Sequence, residues 1–272
     1  MRAKAPRGEG ERELGVFSWS WAVDLSADGS QALILEADSP GSPAALTYVR
    51  PTHGGPPVRL GEGTPLALSP AGTWALVASP DARPRFVVTP TGPGESRTLP
   101  PERFERIEAA WFLDERRLLV DASSGGQRSR SLLVDVSGGE PRVVTPEGIV
   151  SIRGSYSEGG VIGVAADGTL ARYPLLGGDP QPMPAHLPSG TVALRVSGDG
   201  RFVFVGRVGM PYRIDRLELT TGRLTAWKAL RPDDLTGATH IVGVALTADG
   251  EGYAYTYGRY FQDLYLVEGL RP

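Results

Sequence analysis

Any chemistry in this chain must come from carboxylates, arginines, hydroxyls and three histidines. There is no cysteine, which removes thiolate nucleophiles and disulfide staples. A serine nucleophile on a sharp strand-to-helix turn needs Gly-x-Ser-x-Gly. The nearest approach, "GSYSEG" from Gly154, has the wrong spacing. Zinc needs clustered ligands, whereas His53, His186 and His240 are widely separated. Adjacent Asp233 and Asp234 in "RPDDLTGAT" lack the alternating carboxylates of a calcium loop. They are read as polar loop residues open to a partner. The other candidates are Asp24 and Glu108, with Arg153 and Arg195 as positive neighbours. Two carboxylates among two arginines suit a polar binding site better than a cation cage. No catalytic residue, metal ligand or cofactor is expected.

The elements that must position these residues are legible as a repeat. "LSADGSQALIL" from Leu25 returns as "LSPAGTWALV", "VSGDGRFVFV" and "LTADGEGYAY". The turn at its centre falls at Gly29, Gly72, Glu115, Gly159, Gly200 and Gly250. A period of about forty residues suits a four-stranded propeller blade. Asp-Gly pairs tolerate the positive φ of a tight hairpin. Asp-Gly stands at the turn in three repeats, and the runs that follow the six turns, "ALILE", "WALVA", "RLLVD", "VIGVA", "FVFVG" and "YAYTY", are strand-like. A second hairpin marker, such as Gly54-Gly55 or Gly138-Gly139, separates two further strands in the first five repeats. The reading is an all-β, six-bladed propeller of four-stranded antiparallel blades, one domain over residues 12–272. The last blade ends on "DLYLVEG" and lacks its outermost strand. "RELGVF", residues 12–17, is predicted to complete it, which removes an open sheet edge. Residues 1–11 are expected to be a flexible N-terminal segment.

Two residues before the Ser26 position, the repeats carry Asp24, Ala67, Ala110, Gly154, Arg195 and Ala245. Small residues suit the crowded inner strands. Asp24 and Arg195 are expected either to pair near the central channel or to end in solvent. His240 begins the inner strand of blade six, with a structural role or a place at the channel mouth. Tyr253, Tyr255 and Tyr257 share one strand face, where packing on a neighbouring blade competes with a ligand-stacking ladder. Trp19 and Trp21 are expected to staple the incoming chain to blade one.

Composition narrows the partners. The 36 glycines and 24 prolines leave no room for long helices, and the formal net charge is only −3. No basic stripe suggests nucleic acid, and no apolar stretch is long enough for a membrane span. The N-terminus lacks a signal-peptide core, so the chain as translated is expected in the cytoplasm.

The ordered set "WAVDLSADG", "VRLGEG", "LALSPAG", "TPTGPGE", "VTPEG", "YPLLGG" and "DLYLVEGL" resembles bacterial TolB-type, WD-repeat-like β-propellers. It is similar in particular to the C-terminal propeller of some bacterial eukaryotic-like serine/threonine protein kinases. The resemblance implies a binding or sensing module. No Gly-rich nucleotide loop, His-Arg-Asp or Asp-Phe-Gly is present, so phosphoryl transfer cannot be assigned. The expectation is a non-catalytic, monomeric module that binds a protein or peptide on a loop face, solitary or in trans. The alternatives are a sensor domain of a larger kinase chain, periplasmic or extracytoplasmic if membrane-anchored, and a channel-metal hydrolase or lactonase. The loops with reach are 36–44, 121–130 and 230–239.

Overall fold

The computed structural model describes residues 1–6, 8, 10–17, 19–39, 45–81, 85–99, 106–154 and 159–260. Each repeat forms an antiparallel sheet of four strands. The closing blade contributes β1 (Arg2–Lys4) and β2 (Arg12–Glu13) before the ring begins. Blade one is β3 (Ser20–Leu25), β4 (Gln31–Glu36), β5 (Leu46–Pro51) and β6 (Val58–Glu62). Blade two is β7 (Thr64–Leu68), β8 (Trp74–Ala78), β9 (Phe86–Pro90) and β10 (Arg97–Thr98). Blade three is β11 (Arg106–Phe112), β12 (Arg117–Ser123), β13 (Arg130–Asp135) and β14 (Arg142–Val143). Blade four is β15 (Ile149–Ser151), β16 (Gly160–Ala165), β17 (Thr169–Pro174) and β18 (Gln181–His186). Blade five is β19 (Val192–Val196), β20 (Phe202–Arg207), β21 (Tyr212–Glu218) and β22 (Leu224–Leu230). Then β23 (Ala238–Leu246) and β24 (Tyr253–Arg259) return to β1 and β2. Among the described residues there is no helix, hence none long and apolar enough to cross a membrane.

The second strand of each blade is buried on both faces, because each blade packs against two neighbours, whereas the outermost strands are largely exposed. Six apolar clusters lie one at each seam. Between blades two and three, for example, Leu76 and Val88 meet Leu118 and Val120. Hydrogen bonds cross every seam as well. Ala27 N donates to Pro70 O at 2.8 Å, Val196 N to Arg153 O at 2.7 Å and Gly198 N to Ala248 O at 2.8 Å. Ser69 Oγ donates to Glu115 at 2.8 Å, Ser151 Oγ to Asp121 at 3.1 Å and Ala22 N to Thr256 Oγ1 at 2.9 Å. The tyrosine face packs on blade five: Tyr253 and Tyr255 share a cluster with Phe204, Tyr212, Ile214 and Leu230.

The N-terminus closes the ring. β2 is the outermost strand of the last blade, as the run from Arg12 predicts. The expectation of a loose segment over residues 1–11 is corrected, because Arg2–Lys4 forms β1 between β2 and β24. The cause is a period-two pattern too short to notice in the sequence. Met1 and Ala3 turn into the seam with blade one, where Leu14 joins them, while Arg2 reaches acidic partners. The stretch "DLYLVEG" lies outside the described residues.

Candidate binding surface

Propeller connectivity sorts the candidates onto two faces. The tight hairpins between first and second strands share one face with the Gly turns between third and fourth. Connections from second to third strands, and from blade to blade, lie on the opposite loop face.

At the hairpin end of the channel, Asp24 and Arg153 form an ion pair. They belong to blades one and four, which stand opposite each other, so the pair spans the ring axis. Asp24 is buried and its oxygens are already engaged: Oδ1 accepts Leu25 N at 2.5 Å and Oδ2 accepts Leu68 N at 2.8 Å besides Arg153. Arg195 does not end in solvent and does not replace Arg153 as the partner. Its Nη1 donates to Leu246 O at 2.9 Å. Burial and the neighbouring Arg153 charge pull its pKa down to about 10, against the opposing fields of Asp24 and Asp249. The arrangement is a polar bolt across the axis.

Glu108 does not join this group. It is an exposed residue beside an irregularity in β11, and its charge acts on buried Asp121. Burial raises the Asp121 carboxyl above its ordinary range, opposed by hydrogen bonds from Ser131 and Ser151. Asp233 and Asp234 are exposed, and each meets an arginine. Asp233 accepts Arg2 at 2.7 Å, and Asp234 accepts Arg259 Nη1 at 3.0 Å. They tie the last inter-blade loop to the strands that close the ring. His53 and His186 are exposed.

His240 lines a cavity of about 400 Å³ on the loop face, at the seam between the closing blade and blade one. Phe17, Trp19, Trp21, Tyr257 and Tyr260 supply its aromatic walls. His240 Nδ1 lies 2.8 Å from Thr239 Oγ1. Phe17 packs edge-on against Tyr48 yet keeps 68% of its surface exposed, and Tyr260 keeps 72%. Trp19, Val192, Val208 and Leu235 are further exposed apolar side chains at loop-face strand ends. All six belong to blades five, six and one. The sequence reading placed "FSWSW" as a staple and missed this surface. Its only signal was an aromatic run at a strand entrance without apolar residues to cover it.

No protein-family model matches the chain, and no curated protein matches it in sequence. Solved structures do match in shape. TolB from Acinetobacter baumannii superimposes with a TM-score of 0.61 at 17% identity, over 86% of this chain and 64% of its own. A chain from Agrobacterium tumefaciens bearing the TolB name gives 0.49 at 15% identity, over 93% of this chain and 79% of its own. A prolyl endopeptidase gives 0.47 at 16% identity, over 88% of this chain and 40% of its own. This chain therefore spans less than two thirds of the Acinetobacter protein. The architecture is that of a TolB-type six-bladed β-propeller.

Proposed function

We propose that this chain is a non-catalytic module that binds a protein or peptide partner on its loop face. The aromatic cavity at the seam of the closing blade takes an apolar anchor side chain. One observation carries the reading: exposed apolar residues gather over blades five, six and one beside a cavity of ligand-holding size. Contiguous exposed apolar surface marks interaction sites, and apolar pockets of this volume with a few polar groups are usual ligand sites. Aromatic anchors dominate such interfaces. Likeness to TolB supports the fold but not a particular partner.

The test compares the wild-type protein with Trp19→Ala/Tyr260→Ala, and with Leu176→Ala on the opposite face. A partner is captured from source cells, purified, and titrated against each protein by calorimetry. The double variant should bind about tenfold to a hundredfold more weakly, with unchanged melting, while Leu176→Ala binds like wild type. Equal affinity of all three for every purified partner overturns the reading.

A further inference from the structure

A second site stands on the loop face of blade three, on the opposite side of the ring from the aromatic cavity. Between β12 and β13 the chain reads "SGGQRS". Gly125 and Gly126 adopt φ of +61° and +76°, which a side-chain-bearing residue rarely accepts. Gln127 N donates to Ser124 O at 3.1 Å and closes the turn. The turn is braced from outside. Gly148 N donates to Ser129 O at 2.8 Å, and Ser131 N donates to Thr145 Oγ1 at 2.8 Å. A Cβ on Gly148 would lie 3.5 Å from Arg128 Cδ, so the arginine stem rests against that backbone. Arg130 pairs with Ala122 in register. Arg128 and Arg130, two residues apart, line the same cavity of about 230 Å³ together with Ser123, Ser124 and Gln127.

Neither arginine has a carboxylate at ion-pair distance among the described residues. Other arginines of the same blade have such partners: Arg116 meets Asp135 and Arg117 meets Asp114. Glu140 also lines the cavity, so two guanidiniums face one carboxylate and the lining is positive by one charge. We propose that this cavity is an oxyanion site, in which Arg128 and Arg130 hold a carboxylate or phosphate group with the Ser123 and Ser124 hydroxyls and the Gln127 amide as further donors. Guanidinium forks match the planar spacing of such oxygens. The loop's shape is set before any ligand arrives, which lowers the ordering cost of binding. The inference does not rest on the aromatic cavity, and either site can fail alone.

The test is titration of isotope-labelled protein with inorganic phosphate and, separately, with acetate at low ionic strength, read by backbone amide shifts. Saturable shifts confined to residues 122–132 and 139–148 are expected. Arg128→Ala and Arg130→Ala should each weaken binding about tenfold, while Arg116→Ala, on the other face of the same blade, should not. Binding of phosphate alone assigns the site to a phosphorylated group; binding of acetate as well assigns it to acidic side chains. Absence of saturable shifts with both anions, or wild-type affinity in both variants, overturns the proposal.

Discussion

Single side chains show how a degenerate repeat keeps its turns. In blade one, Asp28 Oδ1 accepts Ser26 Oγ at 2.6 Å and Ser30 N at 2.9 Å. Blade two has Ala71 in the equivalent place, and its turn has no carboxylate of its own. Glu115 from blade three supplies one: it accepts Ser69 Oγ at 2.8 Å, Ala71 N at 2.7 Å and Thr73 Oγ1 at 2.5 Å. The blade-two turn thus takes its carboxylate from the next blade. Glu115→Ala should therefore destabilise by about 1–3 kcal/mol, since partly buried donors lose a charged acceptor. Ala71→Asp in the same protein should restore most of it. Urea unfolding of the four proteins of this double-mutant cycle gives the coupling. Equal losses with and without Ala71→Asp would refute the substitution of one acid for the other.

At the scale of strands, ring closure depends on β1. Three residues are enough because both neighbours are already in place: β24 offers its edge, and β2 covers the other side. Ala3 is fully buried at the seam with blade one, beside Ala22 and Ala254. Tyr253 and Tyr255 hydroxyls donate to Glu11 at 2.9 Å and 2.7 Å, joining the β1–β2 connection to β24. Ala3→Asp puts an unpaired carboxylate into that seam and should cost about 3 kcal/mol or more. Lys4→Ala, one position along, should change stability by less than about 0.5 kcal/mol. Matched thermal melts decide it; comparable effects from both would mean that β1 does not hold the ring shut.

For the whole molecule, the repeated turns sum into a pH dependence. Asp199 is held below the usual carboxylate range, first by the Ser197 hydroxyl. Asp28, Asp114 and Asp249 are also lowered: burial is the largest single influence and acts upward, but the turn's hydroxyl, N–H and, at Asp114, Arg117 donors together outweigh it. A carboxyl whose folded pKa is depressed stabilises above its unfolded value and loses that contribution as pH falls through the folded value. Stability should thus be level near neutrality and decline below about pH 4. Asp121, shifted upward, contributes in the opposite sense, because its protonation favours the fold. Urea midpoints between neutral pH and about pH 3 should fall in the wild type and fall less in Asp28→Asn/Asp199→Asn/Asp249→Asn. A flat wild-type profile would remove the turn carboxylates from the account.

The blade count, the strand order within blades and the closing role of the run from Arg12 follow from sequence, because strand-like runs on either side of a tight turn are local and recur six times, with Asp-Gly at the turn in three of them. Alternation places the three tyrosines on one face, but only the structure separates them: Tyr253 and Tyr255 pack on blade five, while Tyr257 also lines the aromatic cavity. Residues whose roles depend on other blades were not legible. Asp24 and Arg153 are three blades apart in the chain and meet only because a ring brings opposite inner strands together. Asp233 and Asp234 resemble an open polar loop until Arg2 and Arg259 arrive from the two ends of the chain. β1 was hidden because three residues carry too little pattern to outweigh the charged surroundings. The aromatic cavity and the arginine pair of blade three are likewise tertiary facts. A sequence names the side chains, but only closure of the ring decides which of them remain uncovered.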